Sequence, residues 1–178
     1  MRISAVLSVT AFSLLFGTSV QAFEPDTSDE LQLEVQSAIL EIQKTDPGIK
    51  KFFESSAGYA VFPKVGKGGI GVGGAYGKGL VIVGEKAVGR TKLSQVTVGF
   101  QLGGQAYSQF IFFKDETALQ NFQRGNFEMG AQASAVAVTL GASADADYDQ
   151  GVAVFTLVSG GLMAEATISG QKFTYEPL

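Results

Sequence analysis

The stretch Gly66–Gly79, GKGGIGVGGAYGKG, decides how the chain is read, because eight of its fourteen residues are glycine. It is preceded by Tyr59-Ala60-Val61-Phe62-Pro63 and followed by Leu80-Val81-Ile82-Val83, both apolar and strand-like. In an extended chain Ile70, Val72, Gly74 and Tyr76 share one face. Gly69, Gly71, Gly73, Ala75 and Gly77 share the other, so that face carries almost no side chain. Each interior glycine costs about 0.5–1 kcal/mol against alanine. Two readings account for this cost. Either another backbone, a helix or a sharp bend comes close to the bare face, or a flat ligand or lipid chain lies on it.

Gly66-x-Gly68-x-x-Gly71 and Gly69-x-Gly71-x-x-Gly74 both spell the dinucleotide fingerprint. That motif works between a strand and a helix N-terminus that holds the pyrophosphate. Here the apolar run Leu80–Val83, β-branched from Val81 on, follows, then Gly84, and the acidic residue wanted about 20 positions on is missing. Gly77-Lys78 likewise lacks the earlier glycine and the following Ser/Thr of a phosphate loop. Nucleotide binding is rejected.

Met1–Ala22 reads as a secretory leader: Arg2, an apolar Ile3–Phe16, and Val20-Gln21-Ala22 at the cleavage positions. The apolar run falls short of the ~20 residues that span a bilayer. A single domain over 23–178 is expected, exported to the periplasm or secreted. No cysteine exists, so neither lipid attachment nor disulfides are expected.

Charge is segregated. Residues 23–43 hold six acids and no base; residues 44–92 hold nine bases against three acids; residues 93–178 hold three bases and eight acids. The basic third contains the glycine run. With no histidine and no cysteine, Ser-His-Asp and Cys-His catalysis and the usual zinc sites are excluded. Asp145, Asp147 and Asp149 begin like a calcium loop, but Gln150 and Thr156 stand where glycine and glutamate are needed. A solvated acidic turn is expected, with no metal, no cofactor and no enzymatic activity.

Thr27–Thr45 is predicted as a helix, with Thr27 and Glu30 as a capping box and Leu31, Val35, Ile39 and Ile42 as its apolar stripe. Asp46-Pro47 ends it and caps a second short helix carrying Phe52 and Phe53 beside Lys50 and Lys51. Phe52 is expected in the core with the lysines solvated; an interfacial membrane foot is the other reading. Tyr59–Phe62, Gly69–Tyr76 and Leu80–Val83 are predicted as three strands. Val96, Val98, Phe100, Leu102, Ala106, Phe110 and Phe112 then form a dry parity opposite polar Thr97, Gln101, Gln105, Tyr107 and Gln109. A bend is expected at Gly103-Gly104. Asp115–Arg124 is predicted as a capped amphipathic helix with Leu119 and Phe122 inward. Phe127–Leu140 is predicted as strand, Val152–Val158 and Leu162–Ile168 as a hairpin around Ser159-Gly160-Gly161, and Lys172–Tyr175 as a last edge.

Several blocks together resemble the SYLF domain, also called the Ysc-type actin-binding domain. They are Tyr59-Ala60-Val61-Phe62-Pro63, the glycine run, Gly99-Phe100-Gln101-Leu102-Gly103-Gly104-Gln105, Ile111-Phe112-Phe113, Asn126-Phe127-Glu128-Met129-Gly130 and Gly160-Gly161-Leu162. The resemblance runs from about Leu31 to the C-terminus. It implies an α+β, mostly β fold: a curved antiparallel sheet or calyx-like barrel with N-terminal helices and one short helix packed against it. It also implies phospholipid binding, with phosphoinositides and actin for eukaryotic members, and export for bacterial ones. This chain lacks the lipoprotein cysteine of many bacterial relatives and any extra actin-recruiting module, so no actin role is expected.

The function expected is a non-enzymatic module that associates with anionic phospholipid through Lys64, Lys67, Lys78, Lys86, Arg90 and Lys92. Nucleic acid is not an expected partner, and the sequence names no protein partner. The alternatives are a soluble calyx holding an apolar molecule or acyl chain, and an envelope module that binds another protein. A small outer-membrane barrel fits poorly, because the chain opens with an amphipathic helix and has no aromatic girdles.

Overall fold

The computed structural model of the protein describes residues 22–99, 105–131, 133–158 and 168–178. Residues 1–21 of the leader, the bend at Gly103-Gly104 and the Leu162 arm of the last hairpin, apart from Ile168, lie outside them. Three helices accompany the strands: α1 (Glu30–Thr45), α2 (Lys50–Ser55, after a 3-10 turn over Pro47–Ile49) and α3 (Glu116–Gln123). The strands are β1 (Gly58–Val83), β2 (Lys86–Gly99), β3 (Gln105–Phe113), β4 (Phe127–Glu128), β5 (Val136–Ala137), β6 (Val152–Val158) and β7 (Lys172–Pro177). Among the described residues they form one sheet in the order β4-β7-β2-β1-β3-β6-β5. Every pairing is antiparallel except β5 with β6. The α+β, mostly β architecture expected from the sequence is the one observed.

The three strands predicted between Tyr59 and Val83 are one strand. The first part of β1 pairs with β3, from Gly58↔Phe113 to Lys67↔Gln105, and the second pairs with β2, from Gly71↔Gly99 to Val83↔Lys86. Between these halves the chain turns back on itself. Gly69 adopts φ +149°, a conformation that side-chain-bearing residues avoid. A methyl on Gly73 would stand 2.9 Å from the Gly68 carbonyl oxygen, and one on Gly77 would stand 3.1 Å from that of Lys64. A methyl on Gly79 would collide with the Val61 carbonyl oxygen and sit 2.8 Å from the Phe62 ring. The bare face of the glycine run therefore lies against the first half of its own strand.

From Tyr107 to Phe113 both faces of β3 are buried, and this corrects the expected polar parity. On one side Val35, Ala38, Ile39 and Ile42 of α1 and Phe52 of α2 pack on Tyr59, Val61, Leu80, Ile82, Phe110 and Phe112. On the other, Leu119 and Phe122 of α3 join Phe62, Ile111, Phe113, Val154 and Phe173. Tyr107 and Gln109, expected to face water, lie inside this second core. There Gln109 and Gln171 exchange hydrogen bonds of 2.8 and 3.1 Å, and the Gln171 amide also donates to the Tyr107 hydroxyl at 3.4 Å. The pairing satisfies amides whose burial would otherwise be costly. Conversely Val96, placed on the dry parity, is 81% exposed. The inside of the curved sheet is filled by Phe62, Phe113, Phe122 and Phe173, whose rings lie 4.9–5.6 Å apart in successive contacts. Each such ring contributes about 1.5–3 kcal/mol by burial.

The helices follow the sequence with one shift. The cap of α1 is Asp29, whose carboxylate accepts from the Leu31 N–H at 3.1 Å, not Thr27. Phe52 is buried, as expected for a core residue, and Lys51 donates to the Ala144 carbonyl. Asp115 caps α3, and Leu119 and Phe122 point inward. The predicted strand 127–140 reduces to the two short pieces β4 and β5. The expected last edge is interior: β7 lies between β4 and β2.

Asp46 ends α1 and ties it to a distant loop. One carboxylate oxygen accepts from Gly48 N–H at 3.1 Å and the other from Ser143 N–H at 2.7 Å. Burial alone would raise its pKa, but these hydrogen bonds outweigh burial and hold it below the ordinary carboxylate value. A depressed folded-state pKa contributes stability that is present above the unfolded-state value and lost as pH falls through the folded one.

Two outcomes are expected. Gly79→Ala should destabilise the protein by about 3 kcal/mol through overpacking. Gly66→Ala, which meets no atom within 4 Å, should be neutral or stabilising by up to about 1 kcal/mol; urea denaturation of both checks this. The wild type should lose stability as pH drops below the ordinary aspartate range, and Asp46→Asn should flatten that acid limb. Unchanged acid dependence in Asp46→Asn would refute the assignment.

Candidate functional site

A concave surface lies between α1 and β1. Pro63 starts it. Proline cannot donate to a ladder, and the β1–β3 register slips between Phe62 and Val65. The freed Pro63 carbonyl accepts from the Ser108 hydroxyl at 2.7 Å. Bulges re-aim side chains, and Lys64, next in the chain, is exposed on the wall of the depression. A cavity of about 500 Å³ is lined there by Asp29, Glu30 and Glu34 of the helix side and by Lys64, Tyr76, Lys78 and Arg90 of the sheet. A second, of about 620 Å³, shares Glu30, Glu34, Pro63 and Lys64 with it and continues along α1 to Ser37 and Glu41. The two form one open groove along the helix.

The six basic residues singled out in the sequence do not all meet. Lys64, Lys78 and Arg90 line the groove. Lys92 stands directly across the β1–β2 ladder from Lys78. Lys86 sits at the β1–β2 turn opposite Val83, six residues and about 20 Å of extended strand from Lys92. Lys67 pairs in register with Gln105 on the other side of β1. Two of the cations are also engaged: Arg90 donates to Asp29, and Lys92 lies 3.9 Å from Glu176. These exposed pairs contribute little to stability.

Beyond Tyr76 the outer face of the β1–β2 ribbon is uncovered. Val72, Tyr76 and Val96 are 65%, 51% and 81% exposed. Gly74 lies opposite Val96 and Tyr76 opposite Ser94, so these side chains share one face, continuous with Lys78 and Lys92. Burial in the second core pushes the Tyr107 phenol up to about 12. It therefore stays protonated and neutral under physiological conditions.

Sequence reasoning found the lysines and missed the acids opposite them. The signal was present: Glu30, Glu34, Ser37 and Glu41 recur at helical spacing on the polar side of α1. It could not be joined to Lys64 and Lys78 without the docking of α1 on β1.

The described residues thus form a mostly β module with a charged groove and an exposed apolar ribbon, and none of its helices is long and apolar enough to cross a membrane. Residues 94–176 match the family described as "Ysc84: Las17-binding protein actin regulator", so this part of the chain is similar to the Ysc84, or SYLF, domain. The chain is also 27% identical over 159 residues to Beta cell expansion factor A of Aeromonas veronii, covering 86% of this chain. The match spans 60% of that relative's length. The groove's charged residues precede the segment matched to the family.

Proposed function

We propose that this protein is a phospholipid-binding module of the cell envelope, exported and without enzymatic activity. It docks on anionic membrane surfaces through the outer face of the β1–β2 ribbon. The observation that carries this reading is the continuity of Lys78 and Lys92, opposite each other in register, with exposed Val72, Tyr76 and Val96. Cations beside an apolar patch with an aromatic between them are suited to the headgroup–acyl boundary. Lys64 and Arg90 stand beside this face in the groove; Lys67 and Lys86 are not needed. The similarity of residues 94–176 to the SYLF family supports the same reading.

A calyx with an acyl cargo is the weaker reading, because phenylalanine rings occupy the inside of the curved sheet. Near an anionic surface each lysine contributes about 1 kcal/mol. Co-sedimentation with phosphatidylglycerol vesicles should therefore weaken as salt rises, and Lys78→Glu with Lys92→Glu should reduce affinity about tenfold or more. Wild-type protein that binds no vesicle, or a double variant that binds as well as wild type, would overturn the proposal.

A further inference from the structure

The groove beside α1 is not a cation cradle. The cavity next to Tyr76 is lined by three acids, Asp29, Glu30 and Glu34, and three bases, Lys64, Lys78 and Arg90. Asp29 and Arg90 neutralise each other. The other four do not: among the described residues Glu30, Glu34, Lys64 and Lys78 enter no ion pair. They stand as carboxylates on the helix wall and ammonium groups on the strand wall, with a cavity of about 500 Å³ between them. That volume suits a small molecule.

A ligand with only negative charge would gain from one wall and be repelled by the other. A ligand with an anion and a cation a few bonds apart engages both, each through charge-assisted hydrogen bonds. We infer that the groove selects a zwitterionic headgroup in which a phosphate diester is followed by a primary ammonium. The phosphate sits against Lys64 and Lys78, and the ammonium donates to Glu30 and Glu34. A quaternary ammonium has no N–H to donate, and among the described residues Tyr76 is the only aromatic lining this cavity, so they form no aromatic cage to hold it. Tyr76 also joins the groove to exposed Val72 and Val96, which gives the glycerol and acyl end of a lipid an apolar surface to leave by. This inference rests on the membrane-binding reading for the source of the ligand, and not for the headgroup chemistry.

The test uses vesicles with a fixed fraction of phosphatidylglycerol, the remainder being either phosphatidylethanolamine or phosphatidylcholine. The wild type should bind the ethanolamine vesicles about tenfold more tightly, the size of one hydrogen bond to a charged group. The variant Glu30→Gln with Glu34→Gln should lose that preference and keep its phosphatidylglycerol-dependent binding. In parallel, glycerophosphoethanolamine should shift the backbone amide resonances of Leu31, Lys64 and Lys78 in the wild type, and glycerophosphocholine should not. Equal affinity for the two vesicle types without an ethanolamine-specific shift overturns the inference and leaves membrane docking standing. A preference that survives in the double variant overturns it as well, by assigning the effect to bilayer packing. Specific shifts without any vesicle binding overturn membrane docking and leave the headgroup site standing for a free ligand.

Discussion

The close approach of β1 to itself is the constraint on which the rest depends. A strand of 26 residues must serve two partners, β3 at its start and β2 at its end. It can do so in a small domain only by folding over, and its two halves then meet at backbone distance. Side chains on the inner face at 73, 77 and 79 would hold them apart. The conformational cost of the glycines is offset by the two cores that this fold-over creates, one under α1 and α2 and one under α3. It also fixes what is left outside: Val72, Tyr76 and Val96 of the ribbon face outward.

That outward face and the groove have one geometric origin. The Pro63 bulge and the Ser108 hydroxyl set the edge on which α1 lies. Asp29 caps the helix and also pairs with Arg90 of β2, so the helix start is pinned to the ribbon. Asp46 pins the other end of the helix to the loop at Ser143. The groove walls are therefore held from both ends of α1, while Lys64, Lys78, Glu30 and Glu34 remain unpaired with one another. Charges kept apart at a fixed spacing are suited to recognise a ligand, whereas collapsed ion pairs would mainly hold the surface together.

Much of this was legible in the sequence where the signal was local. The stripe of α1, the double use of Asp46 and the cap and inward pair of α3 could be read from short spacings, and close backbone approach was one of the two readings of the bare glycine face. The failures were non-local. Alternation in β3 marks two faces but cannot tell water from a second core; Tyr107 and Gln109 are buried because Gln171, more than 60 positions away, supplies the missing hydrogen bonds. Three strands were read where one exists, because glycine within a strand looks like punctuation. The lysines were named and their acidic counterparts were not, because residues 30–34 and 64–78 meet only once α1 docks.

The outer ribbon as the membrane face can be tested by site-directed spin labelling, since the chain has no cysteine of its own to interfere. Val96 and Leu140 are equally exposed, at 81%, but only Val96 lies on the ribbon. With a nitroxide at either position and phosphatidylglycerol vesicles added, the Val96 label should become accessible to oxygen and shielded from a water-soluble relaxant, and the Leu140 label should stay aqueous. A Val96 label that remains aqueous while the protein is vesicle-bound, or immersion of both labels alike, would contradict the account.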